Sequence, residues 1–296
     1  MGENKLIRFD WFIKKMLRDK SDYKVLEGFL TALLKKDIQI LNILESEGNQ
    51  NKEDSKFNRV DILVEDNNKE KIIIEIQNDR ESDYLERILY GTSKVIIDYF
   101  KLGKEYKNVS KVISISILYF NLGVGDDYIY YGTTEFNGVH TKNKLKVKSK
   151  AFIIDGDGNE KIAYKDKNNI FREYYIINVE KFPEIVKEDI DEWIYMLKTS
   201  EIRKEFKSKY IDIAREKLKY EDLNEEEKSF YERHIDNIIR EKDIMETAKE
   251  EGREEGREEG QKLKQMEIAR NLLDVLDTEI IALKTGLTVN EIKNLK

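Results

Sequence analysis

The most informative stretch is VDILVEDNNKEKIIIEIQ, residues 60–77, in which two runs of β-branched residues flank the polar segment DNNKE. This pattern predicts a β-hairpin, because β-branched residues favour strands and Asn and Asp favour tight turns. A turn centred on Asn68 pairs Asp61 on the first strand with Glu75 on the second. The hairpin is therefore predicted to hold two carboxylates side by side.

These opposed acids carry like charges in an apolar setting. Directly opposed Cβ atoms lie roughly 5 Å apart, and two negative charges at that distance repel by about 3 kcal/mol at an effective dielectric constant of about 20. The neighbouring residues are apolar on both faces, which indicates a sheet that is covered on both sides. A divalent cation shared by both acids would offset the repulsion, and carboxylate oxygens suit Mg²⁺ or Mn²⁺.

The acid pair could also be tolerated without a metal. A shared proton, or a salt bridge to Arg59 or Lys71, would relieve the repulsion as well. A shift of the register by one residue would put the two acids on different faces. Gln77 lies on the face of Glu75, where its amide can orient a water or a phosphate oxygen but cannot carry the charge of a lysine.

Composition limits the chemistry of the chain. Its 296 residues are 40% hydrophobic, which is enough for at least one packed core. The absence of Cys excludes thiolate sites, and only two His are present, so carboxylates must carry any metal chemistry. The net charge of -7 means that nucleic-acid binding would depend on local basic patches. No apolar run reaches the roughly 18 residues of a membrane span, and we expect a soluble cytoplasmic protein without a membrane partner.

The order of predicted elements is helix, helix, two strands, helix, strand, strand, which indicates an α/β fold with a mixed sheet. We expect a first domain over residues 1–180, a helical extension over 181–250 and a C-terminal helical region over 251–296. The last region contains KEEGREEGREEGQ, with glycines every four residues. A helix with such a glycine face is marginal alone, so close packing on another helix and a solvated linker are both open interpretations.

A lysine-rich segment follows the predicted strand DDYIYYGTTEF. If it forms one strand, its alternating lysines project from one face and can track a phosphate backbone. Protection of an exposed sheet edge is the alternative interpretation. The lysines concerned are Lys142, Lys144, Lys146, Lys148 and Lys150.

Taken together, the motifs resemble the PD-(D/E)XK nuclease core, and more specifically the recombination-promoting nuclease (Rpn) family. The resemblance covers nearly all of the chain and is weakest from Asn137 to Glu250. The segments that carry it are FDWFIKKML (9–17), KFNRVDILV (56–64), IIIEIQN (72–78), YLERILYGTSKVIIDYFKLGKEY (84–106), KVISISILYF (111–120) and the glycine-spaced tail with TGLTVNEIKNL (285–295).

The resemblance implies particular site residues. Asp61 and Glu75 would bind the catalytic Mg²⁺, or Mn²⁺, with the carbonyl of Ile76 as a third ligand. Gln77 stands where the wider superfamily has the lysine that positions the attacking water. Asp10 matches the N-terminal acid that completes the site, although an acid at the start of a helix also has a plain capping role.

On the following helix, Arg87 and Tyr90 lie about one turn apart, so they can face one side together and reach a phosphate. A surface ion pair is the alternative for Arg87.

The family resemblance implies a restriction-endonuclease-like core and a Mg²⁺-dependent DNA endonuclease, associated with recombination or transposition, that leaves a 5′-phosphate. A homodimer through the C-terminal helices is expected, because cutting both strands needs two active sites or two visits. The alternative is a non-catalytic nucleic-acid-binding or protein-interaction module that keeps the nuclease fold. The unit TGLTVNEIKNL also has the outline of a helix-turn-helix, but it carries few basic residues, which favours a protein contact.

Overall fold

The structure, a computed structural model, describes the backbone of residues 6–12, 23–44, 59–78, 80–100, 106, 109–154, 160–166 and 170–295. Within the strands, it does not describe the side chains of residues 59–61, 149–154 and 160–166. The predicted N-terminal helix is present as helical backbone at residues 9–12. Its continuation over residues 13–17 and the predicted cap at Ser21 or Asp22 lie outside the described residues.

A six-stranded mixed sheet is the centre of the first structural unit. Its strands are β1 (Ile40–Leu44), β2 (Arg59–Asp66), β3 (Lys71–Gln77), β4 (Val112–Leu118), β5 (Ile129–Thr133) and β8 (Glu173–Asn178), in the spatial order β1-β2-β3-β4-β8-β5. The pairs β3–β4 and β4–β8 are parallel, and the other neighbours are antiparallel. The predicted α/β fold with a mixed sheet is confirmed.

The hairpin register is also confirmed. In the ladder between β2 and β3, Asp61 is the partner of Glu75, as the turn centred on Asn68 predicts. The turn is stabilised by Asp66, whose Oδ1 accepts hydrogen bonds from the backbone N–H groups of Asn68 and Glu70 at 2.9 and 2.8 Å. This local side-chain cap holds the two strands in one alignment.

Helices cover the sheet, whose central strands β3 and β4 are buried at every position. The helices of this unit are α1 (Lys24–Leu34), α2 (Tyr84–Tyr99), α3 (Asp189–Thr199), α4 (Ile211–Lys217) and the first part of α5 (Glu225–Leu272). Helix α2 packs its Val95 and Ile96 on a cluster of Leu63, Ile73 and Val112, so it covers the sheet face that also carries Glu75.

Helices α1 and α3 approach each other closely. A Cβ at Gly28 would lie 2.5 Å from the backbone oxygen of Lys209 and 2.6 Å from the ring of Trp193. Only glycine fits there, because real Cβ contacts are longer than this. The ring of Phe29 meets that of Trp193 edge-on at 6.3 Å.

The predicted five-lysine strand is wrong. A separate hairpin of β6 (Lys148–Ile154) and β7 (Glu160–Asp166) begins only at Lys148. Before it, the chain turns at Thr141 and Lys142, where Lys142 adopts a left-handed φ of 60°. Because a turn breaks the alternation of a strand, the five amines do not share one strand face.

The chain divides into two compact units, residues 1–234 and 235–296. The second contains the rest of α5, then α6 (Thr278–Thr285) and α7 (Val289–Lys293) around a core of Ala269, Ile281, Leu287 and Ile292. Gly286 ends α6 with a φ of 76°, and Thr288 and Glu291 form a capping box at the start of α7. No helix in the described part of the chain is both long and apolar enough to cross a bilayer.

Candidate active site

The hairpin of β2 and β3 holds two opposed pairs of charged residues on the same face. One pair is Glu65 and Lys71, which form an ion pair across the strands. Four residues along, the other pair is Asp61 and Glu75, two acids at directly opposed positions. The same ladder therefore contains one complementary pair and one pair of like charges, which the stability of a sheet alone does not explain.

Glu75 is buried, and two side chains of α2 contact its carboxylate. The hydroxyl of Tyr84 donates to Glu75 Oε2 at 3.3 Å, and Nη2 of Arg87 donates to the same oxygen at 3.2 Å. Burial, reinforced by the charge of Glu75, raises the pKa of Tyr84 well above its ordinary value. The tyrosine hydroxyl therefore stays protonated and remains a donor to the carboxylate.

Arg87 links both polar residues of the sequence Glu-Ile-Gln. Its Nη2 donates to Gln77 Oε1 as well as to Glu75, and its Nε lies 3.0 Å from a carboxylate oxygen of Glu81. The guanidinium carbon is 4.8 Å from the centre of the Tyr84 ring. Arg87 is thus a mostly buried cation at the centre of the site. It forms ion pairs with Glu75 and Glu81, as the ion-pair alternative expects, and its contact with a phosphate stays a prediction.

Tyr90 has a different environment from Arg87. The tyrosine side chain is exposed, whereas the arginine side chain is directed towards the sheet. The two side chains therefore differ in exposure, and the expectation that both reach a phosphate stays a prediction. Tyr90 is available at the surface next to the site.

A second buried cluster contains Asp10. Its Oδ1 accepts hydrogen bonds from Arg8 Nε at 3.2 Å and from the backbone N–H of Trp11 at 2.9 Å. Its Oδ2 lies 3.1 Å from Nε2 of His234, in the first part of α5. Because an ionised carboxylate only accepts, Nε2 carries the hydrogen in this contact. Asp10 is almost fully buried, and its carboxylate joins the N-terminal segment to the first part of α5.

Arg8 joins the Asp10 cluster to the end of β3. Its Nη2 donates to Asn78 Oδ1 at 2.9 Å, one residue beyond Gln77, and its guanidinium lies over the ring of Tyr119 at 4.4 Å. The backbone N–H of Tyr119 donates to the carbonyl of Gln77 at 3.0 Å. Burial acts to lower the pKa of Arg8, but the charge of Asp10, its hydrogen bond and the nearby Tyr119 and Tyr231 together outweigh it, and the net pKa is raised. The predicted site residues are therefore connected through side chains that border the strand end.

The remaining predicted site residues differ in burial and in ion pairing. Ile76, whose carbonyl is the predicted third ligand, has its side chain buried on the opposite face from Glu75. Lys142 and Lys146 are exposed, and Lys144 pairs with Glu135. The roles of these residues in metal or DNA binding stay predictions.

The donor chemistry of the hairpin fits a divalent ion. Two acids at opposed positions, with Glu75 buried and supported by a phenol donor, provide the hard oxygen ligands that Mg²⁺ and Mn²⁺ prefer. Arg87 balances one of the two negative charges. Among the side chains that the structure describes, no cluster of three or more His, Asp or Glu residues could hold a metal ion. The side chain of Asp61 is not one of the described side chains.

Sequence reasoning missed three participants: Arg8, Tyr84 and His234. Tyr84 lies three residues before Arg87 on the same helix, so helical spacing could have joined it to the site. His234 is one of only two histidines, and Arg8 is close to Asp10 in sequence. Proximity in the sequence could have joined Arg8 to Asp10. No local pattern gives the contact of His234, because it forms only when the first part of α5 packs on the N-terminal segment.

Comparison with known proteins gives one match. The family model described as PD-(D/E)XK nuclease family transposase matches residues 7–248. Neither the search of curated proteins nor that of solved structures returned a match. The matched residues include the hairpin with its opposed acids, helix α2 with Arg87, and His234. With more than half of its length matched and with the mixed sheet in place, this chain belongs to the PD-(D/E)XK nuclease family transposases.

Proposed function

We propose that this protein is a metal-dependent DNA endonuclease that acts in the cytoplasm in transposition or recombination. The observation that carries the proposal is the pairing of Asp61 with Glu75 inside a buried hairpin. Family membership supports nuclease chemistry. Such chemistry would also explain why the fold keeps the unfavourable pair of like charges at Asp61 and Glu75.

The proposed metal ligands are Asp61, Glu75 and the carbonyl of Ile76, with Mg²⁺ as the proposed ion. When bound, the ion would lower the pKa of the attacking water and neutralise charge on the phosphate. Tyr84 holds the Glu75 carboxylate by a hydrogen bond, and Gln77 offers its amide beside it. Asp10 positions the end of β3 through Arg8 and Asn78.

Cleavage of supercoiled plasmid tests the proposal. Wild-type protein should nick or linearise the plasmid with Mg²⁺ and not with EDTA. Asp61→Asn and Glu75→Gln should each lower the rate by about 10³-fold or more, because each removes a charged ligand. Glu65→Gln is the matched control, since it removes an acid from the same strand and face that opposes a lysine. Equal cutting by Asp61→Asn and Glu65→Gln would refute the assignment.

A non-catalytic module is the second candidate function, and one observation favours it. Arg87 already neutralises Glu75, so the hairpin has a cation partner without a metal. Calorimetric titration with Mn²⁺ separates the two candidates. A catalytic site should bind Mn²⁺ in wild-type protein and in Glu65→Gln, and lose that binding in Asp61→Asn. Absence of binding in all three proteins would favour the module.

The lysine segment is proposed to contact the DNA backbone. Lys142 and Lys146 are exposed, and Lys144 shares its charge with Glu135. Replacing Lys142 and Lys146 by Ala should weaken DNA binding equally for all sequences and reduce the slope of log affinity against log salt by about 1–2. An unchanged slope would remove these residues from the interface.

The proposal includes a homodimer through the C-terminal helices, since double-strand cutting needs two sites. Apolar side chains are exposed on the second unit, among them Val275, Ile280 and Leu283. Sedimentation velocity at increasing protein concentration tests this. A single monomeric species up to about 100 μM, a concentration well above the micromolar range of weak association, would contradict it.

A further inference from the structure

We propose that Arg87 supplies, in this active site, the positive charge that Gln77 cannot carry, and that its guanidinium contacts the phosphate under attack. This inference rests on the proposed nuclease function. In the reaction, the water oxygen forms a bond to phosphorus and the bond from phosphorus to the 3′ oxygen breaks. The water gives up one proton to solvent, and the 3′ oxygen takes one up. Negative charge grows on the phosphate oxygens during this step, and a fixed cation stabilises it.

The position of Arg87 is the first argument. One nitrogen, Nη2, donates to both Glu75 Oε2 and Gln77 Oε1, so the guanidinium lies at the Glu-Ile-Gln segment itself. The ring of Tyr84, three positions earlier on α2, packs against the guanidinium, with its centre 4.8 Å from the guanidinium carbon. The cation is therefore held by three side chains on two elements, which is a defined position and not that of a mobile surface arginine.

Two other cations near the hairpin are engaged elsewhere, among the side chains that the structure describes; the side chain of Arg59, opposite Gln77, is not one of these. Lys71 pairs with Glu65 at the far end of the ladder. Arg8 binds Asp10 and Asn78 beyond the end of β3. Among the side chains that the structure describes, Arg87 is the cation in contact with Glu75 and Gln77.

The donors of Arg87 leave capacity for a substrate. Nη2 serves the Glu-Ile-Gln segment, and Nε lies at ion-pair distance from Glu81. Nη1 is buried and has no hydrogen-bond partner among the described residues. A buried donor without a partner is unfavourable, so a phosphate oxygen beside it would gain a charge-assisted hydrogen bond. Arginine also stays protonated at all working pH values, as a substitute for a catalytic cation must.

Charge exchange between positions 77 and 87 tests the proposal. Arg87→Gln should lower kcat for plasmid cleavage by about 10²–10³-fold, the usual effect of removing one donor to a developing negative charge. Gln77→Lys in the Arg87→Gln background should recover at least about tenfold, because it returns a cation to the same place. Failure of the double variant to exceed Arg87→Gln, while circular dichroism shows that both proteins are folded, would overturn the proposal.

Arg172→Gln is the matched control. The Arg172 guanidinium also binds α2, where its Nη1 donates to Ser93 Oγ at 2.6 Å and Thr92 Oγ1 at 3.1 Å. It does not belong to the cluster around Glu75, so its loss perturbs the helix without removing the proposed cation. Its cleavage rate should stay within about threefold of wild type, since a surface-side change usually has a small effect. A loss as large as that of Arg87→Gln would show that any disturbance of α2 stops cleavage.

Mn²⁺ affinity gives a readout that does not depend on cutting. Removing a guanidinium 3.2 Å from Glu75 should tighten Mn²⁺ binding by about three- to tenfold in Arg87→Gln, since a competing positive charge is gone. Weaker binding would place Arg87 among the groups that build the metal site and would overturn the proposal. If the wild-type protein binds Mn²⁺ but does not cut DNA, the nuclease function fails, while this affinity result still reports on Arg87.

Arg87→Lys covers the case in which Arg87→Gln does not fold, as judged by circular dichroism. Lysine keeps the charge but loses the paired donors, so kcat should fall less than about tenfold while KM changes little. A fall of 10²-fold or more in a folded Arg87→Lys protein that still binds Mn²⁺ would reject charge as the role of this side chain.

Discussion

His234 Nε2 lies 3.1 Å from Asp10 Oδ2, and 224 residues of chain separate the two side chains. This buried contact joins the first part of α5 to the N-terminal segment. The neighbouring Tyr231 strengthens the same junction, since its ring meets that of Trp11 edge-on at 5.5 Å and its hydroxyl accepts from the backbone N–H of Arg8 at 3.3 Å. The N-terminal acid therefore forms a structural link between the N-terminal segment and the first part of α5.

The first prediction concerns this link. His234→Ala should lower the free energy of unfolding by about 1–3 kcal/mol, because it leaves a buried carboxylate short of one donor. Tryptophan fluorescence during urea unfolding measures this, since both tryptophans of the chain, Trp11 and Trp193, lie in residues 1–234. His234→Gln, which keeps a donor, should lose less. An unfolding midpoint equal to that of wild type would contradict the contact.

The second prediction concerns pH. The hydrogen bond from Lys71 lowers the pKa of Glu65 below its ordinary value of 4.5. Because the folded-state pKa is the lower one, this pair stabilises the fold above about pH 4.5, and its contribution is lost as pH falls through the folded-state pKa. Glu65→Gln should cost about 1 kcal/mol at pH 7 and progressively less at lower pH. A difference in stability that stays constant from pH 7 to about pH 3 would count against the pairing.

The third prediction is a trade between stability and metal binding. In EDTA, Asp61→Asn should raise the free energy of unfolding by about 1 kcal/mol, because it removes the repulsion from Glu75 across the ladder. The same variant should lose divalent-ion binding. Chemical denaturation with and without Mg²⁺ measures both effects. Destabilisation in EDTA would indicate that Asp61 has a favourable partner in the metal-free protein.

The fourth prediction concerns the glycine-spaced part of α5. A Cβ at Gly252, Gly256 or Gly260 would have no atom within 4 Å in the part of the chain that the structure describes, apart from its own local backbone. Replacing all three by Ala should therefore raise helix stability, by roughly 1 kcal/mol for each residue. Thermal unfolding followed by circular dichroism measures the change. A lower midpoint would show that this face packs closely on another molecule, which the sequence left as an open alternative.

Much of the fold follows from local patterns in the sequence. The hairpin, helix α2 and strands β4 and β5 were all predicted, because each depends on periodicity or turn chemistry in one short segment. The lysine strand was wrong for the same reason. Alternation predicts a strand, but a turn at Thr141 and Lys142 interrupts the segment before the strand begins.

Some contacts of the candidate site are likewise set within one short segment, and others form only between segments that are distant in the sequence. Side-chain alternation and the turn at Asn68 suffice to place Asp61 opposite Glu75, because the register of a hairpin is a property of about eighteen consecutive residues. Packing is needed to bring Arg87 and Tyr84 of α2 onto Glu75, and to bring His234 onto Asp10. Those contacts depend on how helices dock on the sheet, and the energy that orients them is spread over many apolar side chains that no short motif contains.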